Sequence, residues 1–305
     1  SFSSDPDSNK NFGPYAPGFI SIPYDDIASL EQVLKLPNVA GFLVEPIQGE
    51  AGVYTPANDY MHKAQQLCKD NGVLFIADEI QTGAARTGAF LAVHHEGVEP
   101  EIVVMAKALS GGFVPVGAVL VRSDIWDSTF SSMDRSVVHS STFHESPLAM
   151  IALIATLEVI ADDRLAARAA ELGELLMRRL RQECAGIACV REIRGKGLMI
   201  GVDIDSARVP SFAKIPLLGR FTEPMIGQAA IMELLQAHSI LAQTTGARRP
   251  LIKFMPPLVV NESDVEAIAI ATAASCRALG AGRFYGAMRS VAGNILRSGL
   301  GLSTT

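Results

Sequence analysis

The chain has 305 residues, 49% of them hydrophobic and 19% charged. That balance suits a globular protein with a large buried core, in one or two domains. A formal net charge of -6 and an isoelectric point near 5.6 give no basic field to attract a nucleic acid. No stretch of 18 residues is uninterruptedly apolar. The nearest, residues 265–281, carries Glu266 and Arg277 and reads as a buried helix, so no membrane partner is expected.

The four cysteines, Cys68, Cys184, Cys189 and Cys276, form no C-x-x-C pair and have no histidine at metal spacing. They read as small core residues of a protein in a reducing compartment, the cytoplasm, with no metal centre. The adjacent His94 and His95 read as surface residues, and the run Arg178-Arg179-Leu180-Arg181 as a solvated helix face. There is no secretory signal. The chain opens without Met on a polar stretch and is expected to be a piece of something longer.

In chain order, residues 39–45 (VAGFLVE) are short, β-branched and apolar, and predict a buried strand. Thr55-Pro56 opens a predicted helix that runs to Asp70, where Asn71-Gly72 stops it. Residues 73–77, 101–106 and 117–121 predict three further strands. Strand, helix and strand in this rhythm imply an α/β fold with a parallel or mixed sheet. Ser146-Pro147 caps a helix to Ile160, and residues 165–183 predict an amphipathic one. The pattern then changes, with a domain boundary near residue 185. Residues 190–204 predict two short strands of a smaller α+β unit, and 223–238 a helix. Residues 252–260 predict a strand interrupted by Pro256-Pro257, and 262–279 the closing helix. Residues 284–305 form a tail. Arg194-Gly-Lys196-Gly197 is Gly-rich but follows no strand-to-helix phosphate pattern, and reads as a hairpin. Trp126 is expected to anchor a core or an interface.

Ligands of open α/β sheets bind beyond the carboxyl ends of the strands. Three predicted strands end there in reactive residues: Glu45 with Glu50 close behind, Asp78-Glu79, and Lys107. Lys107 precedes Ala-Leu-Ser-Gly-Gly, a small-residue turn that lets backbone approach a ligand. A lysine partly desolvated at an apolar sheet edge has a lowered pKa and suits imine formation. An aspartate on a neighbouring strand suits a protonated ring nitrogen. Taken singly, each has a plainer reading: a solvated strand end for the lysine, a helix N-cap for Asp-Glu.

The segments VEPIQGEAGV (44–53), FIADEIQTG (75–83), ARTG (85–88) and MAKALSGG (105–112), together and in order, resemble the signatures of class III aminotransferases of the ornithine and acetylornithine type. The resemblance implies a fold-type I enzyme dependent on pyridoxal 5'-phosphate (PLP): a mostly parallel sheet flanked by helices, plus a smaller C-terminal α+β domain. Residues 1–185 would be the PLP-binding large domain, lacking its N-terminal part, and 186–283 the small domain. Lys107 would form the internal aldimine and act as acid and base, and Asp78 would pair with the pyridinium nitrogen. Ile80 would pack on the ring, and Gln81 would sit by its 3-hydroxyl. The segment 139–147 (HSSTFHESP) resembles the family's H-x-S-T-[FY]-x-x-N-P, so Thr142 would reach the phosphate of a partner subunit across a homodimer interface. The activity implied is transfer of an amino group from a small-molecule amino donor to an aldehyde or keto acceptor.

The family's substrate-carboxylate arginine stands in a segment like R-F-A-P-P-L, and residues 252–258 read IKFMPPL with Lys253 at that position. Arginine offers a carboxylate a bidentate fork, and lysine only a point charge. In ornithine-type enzymes the arginine pairs with the glutamate matching Glu50. Either Lys253 does the same work less tightly, or one substrate lacks an α-carboxylate, as in secondary metabolism. The chain is similar in these segments to the aminotransferase module of prodigiosin-type pyrrole synthesis. A different class, an inactive scaffold fragment, is weakened by the joint retention of Lys107, Asp78, Gln81 and Thr142.

Overall fold

A computed structural model describes residues 9–209, 219–245 and 249–282. The tail expected at 284–305 lies outside the described residues. Two four-stranded sheets organise the chain.

The first sheet has the order β1-β2-β3-β4, with β1 at Gly41–Val44, β2 at Leu74–Asp78, β3 at Ile102–Met105 and β4 at Ala118–Val121. The first three run parallel and β4 returns antiparallel to β3. Helices α1 (Ile27–Leu34) and α3 (Tyr60–Asp70) cover one face, where Leu30, Leu34, Tyr60, Met61 and Ala64 pack on Phe75 and Ala77. Between β1 and α3 lies a single helical turn, α2 (Gly49–Gly52). The other face holds Val103 and Met105 against Ala84, Ala85, Leu109 and Ile160.

The predicted strands are present, most with slightly narrower bounds, and every predicted helix is present; those at Pro147–Asp162, Gly219–His238 and Glu262–Gly280 run slightly longer than expected. Helix α3 starts at Tyr60, five residues later than expected, because the intervening backbone is bonded elsewhere. Tyr54 bridges to Gln48, and the Ala57 N–H donates to Asp25 Oδ2 at 3.0 Å. The predicted strand at 252–260 stops at Phe254, since the prolines that follow cannot donate to a ladder. Helix α1, the short helix α4 (Ser123–Thr129) and a two-residue strand at Gln243–Thr244 were not anticipated.

Helix α5 (Pro147–Asp162) is apolar nearly all round, yet only Ala149 and Ile160 are buried. Leu148, Ile151 and Ile154 are exposed, as are Val119, Leu120 and Phe143. Trp126 is exposed as well, stacked on Phe130 at 4.3 Å, so it anchors no core of this chain.

The second sheet is antiparallel, in the order β5-β6-β8-β7. The strands are β5 (Val190–Lys196), β6 (Met199–Ile204), β7 (Gln243–Thr244) and β8 (Leu251–Phe254). Helix α6 (Leu165–Glu183) sets its stripe of Ala169, Leu172, Leu176 and Leu180 against the closing helix (Glu262–Gly280) and this sheet. Each leucine so buried stabilises the fold by about 1.5–3 kcal/mol. Helix α7 (Gly219–His238) adds Ile226, Ala229, Ala230 and Leu234 to the same core. Helix α8 (Glu262–Gly280) begins at a capping box in which Asn261 and Asp264 satisfy each other's backbone N–H groups. Among the described residues no helix is long and apolar enough to cross a membrane.

Candidate active site

Because β1, β2 and β3 are parallel, their carboxyl ends open on one edge of the sheet. Glu45 follows β1, Asp78 ends β2, and Lys107 follows β3 by two residues. Ala106 is extended and Lys107 is left-handed, with φ +48°. This abrupt reversal swings the lysine off the strand axis. Contrary to the expected partial desolvation, the Lys107 side chain is exposed. It faces a recess of about 510 Å³ walled by Ala106, Pro115, Val116 and Gly117. Asp78 Oδ1 accepts the N–H of Ile80 at 3.1 Å, a local turn that holds the carboxylate and starts the loop after β2. Next to it, the buried Glu79 accepts from Val93 N–H at 2.9 Å and from the Thr82 hydroxyl, pinning that loop.

Glu45 ties these residues together electrostatically. Burial raises its pKa above the ordinary carboxylate value, opposed by the Gly49 N–H bond at 3.2 Å; the charges of Asp78 and Glu50 add to the rise and Lys107 opposes it. Sequence reasoning marked Glu45 as a reactive strand end but gave it no role; its position beside Asp78 and Lys107 is the signal.

Glu50 sits on α2 and meets two partners. Lys253 Nζ lies 2.5 Å from Glu50 Oε1, and Gln81 Nε2 donates to the same oxygen at 2.7 Å. Burial works to raise the Glu50 pKa, but these two bonds and the charges of Lys253 and Lys107 outweigh it and hold the carboxyl below its usual value. The pair is asymmetric, since the Lys253 side chain is 1% exposed and that of Glu50 66%. Lys253 is buried because β8 runs between β6 and β7, with Gly201 opposite it and Leu251 on its own face. Leu251 packs there on Ile47, Val53 and Met199, joining the second sheet to the segment that carries Glu50.

Arg194, read from the sequence as part of a hairpin, clamps this segment. Its Nε and Nη2 donate to the Gly52 carbonyl at 3.0 and 2.7 Å, its Nη1 pairs with Asp203 at 3.0 Å, and its guanidinium lies 4.4 Å from the Tyr54 ring centroid. Gln81 has room because Gly49 has no side chain: a Cβ there would lie 1.5 Å from Gln81 Oε1. That oxygen is buried without a hydrogen-bond partner. Ile80 is half-buried beside Asp78. Thr142 is exposed on the loop before α5.

An exposed lysine and carboxylates thus stand at the ends of adjacent parallel strands of an α/β sheet. Residues 1–273 match the family model Aminotransferase class-III, and the chain belongs to that family. It is 41% identical to the mitochondrial ornithine aminotransferase of Rattus norvegicus over 265 residues, which is 87% of this chain and 55% of that protein. Among solved structures, it is similar to the ornithine aminotransferase from Toxoplasma gondii, which has partial occupancy of PLP at its active site. The TM-score is 0.81 at 38% identity, covering 93% of this chain and 61% of that one. The acetylornithine aminotransferase from Elizabethkingia anophelis gives a TM-score of 0.72 at 39% identity, covering 86% and 63%. The chain therefore spans about half the length of the rat relative and about three-fifths of these solved chains.

Proposed function

We propose that this chain carries the catalytic lysine and the substrate gate of a PLP-dependent aminotransferase. The observation that carries this reading is the convergence of Lys107, Asp78 and Glu45 at the carboxyl ends of three adjacent parallel strands. A primary amine and a carboxylate on neighbouring strands, beside a recess walled by small residues, suit the two ends of the cofactor's ring. When bound, PLP supplies a carbonyl carbon for amines and a protonated ring that takes up an electron pair. Lys107, whose side chain is exposed, would hold the cofactor through its Nζ and would move the proton at the substrate carbon as acid and base. Asp78 keeps acceptor capacity beyond its bond to Ile80 and would hold the proton on the ring nitrogen. Ile80 would pack on the ring, and Gln81 would hold its 3-hydroxyl. Cofactor binding belongs to residues 1–185 and the gate lysine to 186–283.

The names of the similar proteins support an ornithine- or acetylornithine-type amino donor. Lys253 favours a second reading for the other substrate, an aldehyde or ketone without an α-carboxylate, as in secondary metabolism. A lysine already bonded to Glu50 at 2.5 Å offers a carboxylate only a point charge. Exposed apolar side chains along α5 and β4, with Thr142 on an exposed loop, support a homodimer in which Thr142 serves the partner subunit's phosphate site. Four free thiols support a reducing compartment, the cytoplasm.

Borohydride reduction in the presence of PLP, followed by peptide mass spectrometry, tests the central reading. A phosphopyridoxyl adduct on the peptide containing Lys107 is expected. No adduct, either on this chain or on a longer form, would leave the inactive scaffold in its place. A substrate panel of ornithine, acetylornithine, glutamate and medium-chain aldehydes separates the two substrate readings. Strong preference for ornithine with 2-oxoglutarate removes the second.

A further inference from the structure

Two basic motifs that look unremarkable apart meet in one cleft away from Lys107. Arg178 and Arg181 are three residues apart on α6 and share a face. Arg179 between them turns away to Glu266, at 2.6 Å. Lys196, at the end of β5, faces the same space. The cleft holds about 660 Å³, between α6, the β5–β6 turn and the Thr87-Gly88 segment. Its one carboxylate is Glu174. Among the described residues no carboxylate lies within ion-pair distance of Arg178, Arg181 or Lys196. Three cations against one anion leave a net charge of +2 on a chain whose total is -6.

The floor is built from absent side chains. A Cβ on Gly173 would lie 2.3 Å from the Gly197 backbone, one on Gly197 would lie 2.4 Å from the Thr87 carbonyl carbon, and one on Gly88 would lie 2.9 Å from Ala170 Cβ. Ala170 and Met177 supply an apolar wall. A cleft of this size, part apolar and part cationic, fits a small organic anion better than a bare ion.

We propose that this cleft binds a small phosphorylated metabolite. Its phosphate lies between Arg178, Arg181 and Lys196, and its organic body lies against Met177 and Ala170. The dianion of a phosphate monoester matches the net charge of +2, and two guanidinium forks suit its oxygens. The cleft shares no lining residue with the Lys107 recess.

Calorimetric titration of the full chain with AMP as probe, and with inorganic phosphate for comparison, tests the assignment. Wild type is expected to bind AMP saturably and more tightly than inorganic phosphate. Arg178→Ala with Arg181→Ala, and separately Lys196→Ala, should each weaken AMP by roughly tenfold or more. Arg179→Ala, whose guanidinium faces Glu266, serves as control and should titrate like wild type. All four residues lie on the surface side of α6 or at the turn, and circular dichroism checks that the variants fold. His95 gives a second readout. Burial and the Lys196 charge hold its pKa below the ordinary imidazole value, and a bound dianion must move its NMR titration upward. No saturable binding, equal loss in the Arg179 control, or an unmoved His95 would each overturn the proposal.

Discussion

The two sheets differ in how completely they are enclosed. In the second, every residue of β6 and β8 is buried, and α6, α7 and α8 close one shared core. In the first, β4 has no buried residue, and Val119 and Leu120 are about half exposed. The reactive residues stand on the open sheet, and the closed one lends them Lys253 and Arg194. The division separates stability from chemistry: one sheet is a finished core, while the other leaves an edge strand and an apolar helix exposed among the described residues.

The largest effect expected from breaking this division is on turnover. Lys107→Ala should lower amino transfer by roughly 10³-fold or more and abolish borohydride trapping. Its thermal midpoint should stay that of wild type, because Lys107 is exposed. Next come paired truncations read by urea unfolding. Ile200→Ala in β6 should cost about 2–5 kcal/mol, whereas Leu120→Ala in β4 should change the stability of the isolated chain by no more than about 0.5 kcal/mol. Equal losses would mean that the first sheet is as enclosed as the second.

Glu50→Gln leaves the buried Lys253 ammonium beside a neutral amide. The cost should be about 1–3 kcal/mol, less than for a fully buried pair because Glu50 faces solvent. The Glu50 pKa is lowered in the fold. Its contribution is therefore present above its unfolded value of about 4.5 and is lost as pH falls through the folded one. The variant and wild type should converge in acid. The smallest effect is at Glu45, whose folded pKa is raised by burial. Its favourable contribution holds below the unfolded value and fades as pH rises through the folded one. Glu45→Gln should therefore stabilise the chain near neutral pH and change little at pH 4, as thermal melts at both pH values would register.

Much of this arrangement was legible in the sequence where short-range chemistry sets it. Asn71-Gly72 marked the end of α3. The apolar runs before Glu45, Asp78 and Lys107 marked three strand ends. What escaped is set by distant partners. The start of α3 depends on Asp25, more than thirty residues upstream, taking the Ala57 N–H. The exposure of Lys107 depends on a left-handed turn that its side chain does not announce. Arg194 gripping the Gly52 carbonyl, and Arg178 and Lys196 lining one cleft, bring together segments whose local patterns read only as a hairpin and a helix face.

At the meeting of Gly173, Gly197 and Thr87, main chain rests on main chain with no side chain between. Side chains can yield by changing rotamer, and bare backbone has no such slack. A displacement of α6 is therefore handed directly through the β5–β6 turn to the loop that carries Arg86 and Thr87, so that this junction behaves as a stiff linkage between the closed core and the open sheet.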